Sequence, residues 1–279
     1  MNNLFERFLQ EKEYLENRTP NTIHYFKQCW KSFRSIIPDG FSQELLEKYI
    51  IEKRKAGMTA GCLNSYIKGL NSFGLWLQAA GLTDKLIRAK LLKTEKKVMR
   101  SFTDKELSRL INYRPKTCGQ HRTKTLLLAL LDTGCRIDEL LTLTRSDVSF
   151  DQLHIKVMGK GRKERILPIS IELRKHLYKF LQTHPHTLVF CTREGNKLNY
   201  QNTWRDAHDL FKKIGVEPEG FHAMRRTFAR SYLKNGGNLI YLQALLGHER
   251  LDTTRGYIEV EQEDLQRTHV KTSILSRLK

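Results

Sequence analysis

Up to Gly81 the hydrophobic positions repeat with the period of an α-helix. Leu4, Phe5, Phe8 and Leu9 line one side of a first helix. Thr19 before Pro20 starts a second, whose apolar face runs Ile23, Phe26, Trp30, Phe33 and Ile37 before Pro38-Asp-Gly closes it. A third helix carries Leu45, Leu46, Tyr49 and Ile50 and stops near Gly57; a fourth carries Leu63, Tyr66, Ile67, Leu70, Phe73 and Leu77 and stops at Gly81. The aromatic residues recur on the apolar stripes, so they are expected to fill an interior rather than to stack on bases.

Between Lys85 and Arg100 the pattern changes. Lys85, Arg88, Lys90, Lys93, Lys96, Lys97 and Arg100 stand against a single acid, Glu95, and the apolar periodicity fades after Leu92. This predicts a helical domain over 1–92 and a basic linker over 93–100, in which Lys93, Lys96, Lys97 and Arg100 are suited to a phosphate backbone. A second domain, 101–279, opens with Thr103-Asp-Lys-Glu106, a capping box ahead of Leu107, Leu110 and Ile111. Leu126 to Leu131 predicts a buried helix ending at Thr133-Gly134, followed by a turn at Arg136 and a short helix with Glu139.

At 152–169 the period switches to alternation: Leu153, Ile155 and Val157 point one way, His154 and Lys156 the other. Gly159-Lys160-Gly161-Arg162 turns this strand back through Ile166 and Pro168. The hairpin tip carries Lys160, Arg162, Lys163 and Arg165, a group able to enter a DNA groove and contact its backbone. Thr187 to Cys191 is expected to add a short strand. Helices return with Trp204, Ala207, Leu210 and Phe211, then with Met224, Phe228, Tyr232 and Leu233. The fold class read from the chain is therefore mainly α with a small β-sheet: a helical domain followed by a mixed α/β domain.

Composition narrows the partner. A formal charge of +19 on 279 residues, with a pI near 9.8, points to a polyanion, with nucleic acid first among candidates. No apolar run approaches the roughly 20 residues that span a bilayer, and the N-terminus lacks signal-peptide character, so a cytoplasmic, nucleoid-associated location is expected. The five cysteines show no CxxC pair and are read as buried free thiols. No HExxH and no His/Cys cluster with ligand spacing suggests a metal site, and no P-loop suggests a nucleotide, so no cofactor is expected.

The candidate chemistry gathers between His222 and Tyr257. His222 and Arg225 are three apart, hence on one helix face, where an imidazole and a guanidinium can grip one anion. Gly247 ends the run Leu242, Leu245, Leu246 as a left-handed cap and turns His248 out of the helix. Tyr257 follows nine residues later. A phenol with an unperturbed pKa of about 10 attacks only where positive charge surrounds the reaction centre, and this stretch supplies it.

The ordered set of Arg136, Lys160 in the hairpin turn, His222 and Arg225 as HxxR, His248 after Leu-Gly, and Tyr257 resembles the tyrosine recombinase (phage integrase) family over essentially the whole chain. The chain looks like a compact, Xer-like two-domain member, without room for a further N-terminal arm-binding domain. The resemblance implies that the arginines and histidines bind the scissile phosphate, that Lys160 protonates the leaving oxygen and that Tyr257 is the nucleophile. It also implies that Glu139 orients the site. The residues leave open which histidine accepts the phenol proton. Arg226 stands where the family often has histidine, and Met224 where leucine is more usual.

By the same resemblance the activity is site-specific DNA recombination, integrase-like, through a 3′-phosphotyrosyl intermediate without metal or ATP. The two domains would form a C-shaped clamp on double-stranded DNA, with a dimer on each site and a tetramer in synapsis. A tail from about Glu261, with Leu265, Ile274, Leu275 and Leu278, would dock on a neighbouring protomer. Two alternatives stay open: a type IB topoisomerase-like nicking and resealing enzyme, and a catalytically silent DNA-binding regulator.

Overall fold

The computed structural model describes residues 1–95, 100–159 and 163–247. The chain divides into two compact units, Met1–Val98 and Met99–Lys279.

The first unit is helical: α1 (Asn2–Gln10), which runs on through a π-helical turn (Glu11–Leu15), then α2 (Pro20–Arg34), α3 (Gln43–Lys55) and α4 (Ala60–Ala79). Thr19, Ser42 and Thr59 each accept a backbone N–H of the first turn, so three of the four helices start on a side-chain cap. Phe5, Phe8, Trp30, Phe33 and Phe73 fill the interior, with Phe5 stacked on Trp30 at 4.6 Å between ring centres. Each ring of that size contributes roughly 1.5–3 kcal/mol by burial.

The stretch after α4 is held in extended form along that helix. Asn71 exchanges two hydrogen bonds with the backbone of Ala89 (2.8 and 2.9 Å) and Asn64 two with Leu92 (2.9 and 2.8 Å). Ile87 and Ala89 are buried with the helices. Gly74 makes this possible, because a Cβ there would lie 2.0 Å from the carbonyl oxygen of Ile87.

The second unit packs helices around α6 (Cys118–Thr133), after α5 (Asp104–Asn112), whose Thr103–Glu106 capping box is formed. There follow α7 (Ile137–Leu140), a three-stranded antiparallel sheet in the order β1 (Val148–Ser149), β2 (His154–Met158), β3 (Glu164–Pro168), then α8 (Ile171–Leu181), α9 (Tyr200–Lys213), α10 (Phe221–Lys234) and α11 (Leu239–Leu246). Leu126, Leu127, Ala129 and Leu130 of α6 are buried.

Two expectations are corrected. Residues 187–191 form single bridges, Thr144 with Leu188 and Cys191 with Lys197, rather than a strand. Cys62 and Cys118 are exposed: each lies in the first turn of its helix, ahead of the buried stripe. No helix among the described residues is long and apolar enough to cross a membrane.

Candidate active site

Helix α11 ends because Gly247 adopts φ 61°, ψ 45°, and the carbonyls at a helix end need partners from outside its own ladder. Three arginines from three other elements take them in succession. Arg165 on β3 donates from Nε to Leu245 O at 3.0 Å. Arg225 on α10 donates from Nη2 to Leu246 O at 2.6 Å, and Arg136, the residue before α7, donates from Nη2 to Gly247 O at 3.4 Å. A helix C-terminus is the negative end of the macrodipole, so it is a natural seat for cations.

Arg225 is 3% exposed and also donates to Gly134 O at 2.9 Å, so it ties the ends of α6 and α11 together. Gly134 has φ 63°, and a Cβ there would come within 2.1 Å of the Phe228 ring. Only glycine lets α6 stop at this point with its carbonyl turned to Arg225.

Glu139 is the buried acid of the cluster, 4% exposed. It accepts from the Arg136 backbone N–H (2.7 Å), from Arg136 Nη1 (3.1 Å), and from Arg165 Nη1 and Nη2 (2.8 and 2.7 Å). Burial alone would raise its pKa. The Arg165 and backbone hydrogen bonds, with the two guanidinium charges, outweigh that and hold the carboxyl below its usual range. Three guanidiniums against one carboxylate leave a positive centre.

His222 lies in the first turn of α10, with an exposed edge. Crowding by the protein, then the charges of Arg225, Arg226 and Arg136, push its pKa below the ordinary histidine value, with Asp138 opposing. The imidazole is thereby kept neutral near pH 7, able to give or accept a hydrogen bond.

The remaining predicted residues divide into three groups. Lys93 and Lys163 are exposed. Arg100 and Arg165, read from charge as DNA contacts, have protein partners: Arg100 pairs with Glu106 and reaches Glu219 at 4.0 Å, and the Arg165 side chain is 14% exposed and turned to Glu139. Lys96, Lys97, Lys160, Arg162, His248 and Tyr257 lie outside the described residues. Arg226 donates from Nε and Nη2 to Arg100 O (3.1 and 2.9 Å). Sequence reasoning missed the inward role of Arg165. The alternation of β3 was a weak signal for it, since Arg165 and Leu167 share the inward side while Ile166 faces out. Among the described residues there is no cluster of His, Cys, Asp or Glu able to hold a metal ion.

Residues 100–264, more than half of the chain, match the phage integrase family. The chain belongs to this family of tyrosine recombinases. It is 28% identical over 280 residues to tyrosine recombinase XerA of Thermococcus kodakarensis, covering 98% of this chain and 95% of the relative. It is 26% identical over 282 residues to tyrosine recombinase XerD of Halalkalibacterium halodurans, covering 93% and 94%. Its fold is similar to that of the Tn1549 transposon integrase solved in complex with circular intermediate DNA, at TM-score 0.77 and 17% identity over 99% of both chains.

Proposed function

We propose that this phage integrase family member is a site-specific DNA recombinase that cleaves and rejoins strands through a covalent bond between Tyr257 and a 3′-phosphate. The observation that carries this reading is the convergence of Arg136, Arg165 and Arg225 on the three last carbonyls of the α11 segment, immediately before His248. Phosphodiester cleavage builds negative charge on the non-bridging oxygens, and preorganised cations stabilise that charge without reorganising as it forms.

In the reaction, Arg136 and Arg225 hold the scissile phosphate and His222 and His248 add hydrogen bonds, one of them taking the phenol proton. The Tyr257 oxygen bonds to phosphorus, the bond to the 5′-oxygen breaks, and Lys160 gives that oxygen its proton. A 5′-hydroxyl from the partner strand reverses the step, so the energy of the broken bond is kept and no ATP is used.

Lys93, Lys96, Lys97, Arg162 and Lys163 contact the DNA backbone. Two copies occupy one site and four form the synaptic complex, through docking of the tail from about Glu261. The protein acts in the cytoplasm, on the nucleoid. The names of the XerA and XerD relatives support the reaction class.

The test is a nicked suicide duplex carrying the bound site, incubated in excess EDTA without nucleotide. Wild type should yield a covalent protein–DNA band and Tyr257→Phe should bind without one. A band from the phenylalanine variant, or cleavage restored only by one divalent ion, overturns this mechanism. Strand exchange between two duplexes, rather than nicking and resealing alone, separates a recombinase from a topoisomerase-like enzyme.

A further inference from the structure

We propose that Arg165 is a positioning residue for strand cleavage, acting through Glu139 on the Arg136 guanidinium rather than on DNA. The proposal rests on the recombinase reading above. Arg165 meets both oxygens of Glu139 with two parallel hydrogen bonds, at 2.8 and 2.7 Å, the fork geometry that a guanidinium makes and an ammonium does not. Arg136 is left with one side-chain bond to the same carboxylate, longer at 3.1 Å. The Arg136 side chain is 33% exposed against 14% for Arg165, so of the two it is Arg136 that offers an edge to an incoming phosphate.

Two glycines hold Arg165 in place. A Cβ at Gly159 would lie 3.0 Å from its Nη1, and one at Gly247 would lie 3.2 Å from its Cζ. The guanidinium is therefore seated between the hairpin arm that leads to Lys160 and the turn that leads to His248, with Nε on Leu245 O. With Arg165 gone, the buried Glu139 carboxylate would have Arg136 as its remaining guanidinium partner in this network and would compete with phosphate for it. Misplacing a group at a reaction centre by about 1 Å can cost on the order of 100-fold in rate.

The experiment compares wild type, Arg165→Met, Arg165→Lys, Glu139→Gln and the Arg165→Met/Glu139→Gln double variant on the nicked duplex. It measures DNA affinity, the single-turnover rate of adduct formation at saturating protein, and melting. Arg165→Met should bind within about threefold of wild type and cleave on the order of 100-fold more slowly. The double variant should be no slower than Arg165→Met alone, because both changes interrupt one chain of contacts.

A loss of affinity with an unchanged saturating rate would overturn the proposal in favour of a DNA contact, and multiplying losses in the double variant would overturn the route through Glu139. Should Arg165→Met not fold, Arg165→Lys decides: it keeps the charge but not the fork, and cleavage at the wild-type rate overturns the proposal. No adduct from wild type would overturn the recombinase reading itself, whereas equal adduct rates from wild type and a folded Arg165→Met overturn this proposal alone.

Discussion

Both units have an apolar core; they differ in the groups that mark each interior. In the first, Phe73 touches the rings of Phe5, Phe8, Trp30, Phe41 and Trp76, and the indole N–H groups reach outward to Asn2 and Glu11. In the second, cations are set on helix C-termini. Lys124 donates to Ile111 O and Tyr113 O after α5 (2.7 and 2.6 Å), and Arg145 to Leu181 O and His186 O after α8 (2.6 and 2.7 Å). The α11 end, with its three arginines, repeats that device at the site proposed above for strand cleavage. An aromatic ring stabilises by area wherever it is covered, while a buried guanidinium is tolerated only where its donors meet acceptors. Altering the aromatic cluster should therefore cost stability, and altering the arginines at the α11 end should cost chemistry.

The sharpest way to break this contrast is Phe73→Ala. Phe73 is fully buried, and its truncation should cost about 3–5 kcal/mol of stability, read by urea unfolding, while the saturating cleavage rate of the folded fraction stays near wild type. Arg225→Met should do the reverse. Loss of one charge-stabilising donor typically costs about 10²–10³-fold in rate, roughly 2.7–4 kcal/mol of barrier, against a smaller loss of stability from Gly134 O and Leu246 O left without its donors. A greater loss of stability than of rate would place Arg225 with Lys124 and Arg145 as a structural cap.

Gly74→Ala should cost about 1–3 kcal/mol, because the added methyl meets the Ile87 carbonyl; faster proteolysis around 86–92 would show the extended segment leaving α4. The smallest effect expected is a pH effect. Burial first, and neighbouring cations second, hold His121, His176, His184 and His222 below the ordinary value of 6.5. Below that pH the unfolded chain takes up protons more readily than the folded one, so stability is lost as pH falls from about 6.5 through the folded values. Hydrogen exchange at pH 7.5 and 5.5 should show α6 and α10 weakening more than α2 and α4. Equal change in both units would remove the contrast.

Much of this was legible in the chain. Helix starts were readable at Thr19 and Thr103 because a cap is a local contact between a side chain and N–H groups three residues away. The Gly247 stop was readable because a left-handed residue after an apolar run is also local. Arg165 was not. Its charge matched that of its neighbours Arg162 and Lys163, and nothing within the hairpin shows that Glu139, 26 residues earlier, and the end of α11, 80 residues later, close around it. Arg100 differs, because it pairs with Glu106 only six residues on and reaches the distant Glu219 at 4.0 Å.

The sequence by itself determined the helical periods, the capping boxes, the basic charge and the order of residues that marks the family, because each depends on residue type and on spacings within a turn or a hairpin. Only the tertiary structure decided which cations face solvent and which are enclosed. A guanidinium acquires its role from the acceptors that long-range packing brings to it, and β3, α7, α10 and α11 meet at the Gly247 turn only once the second unit has folded around α6.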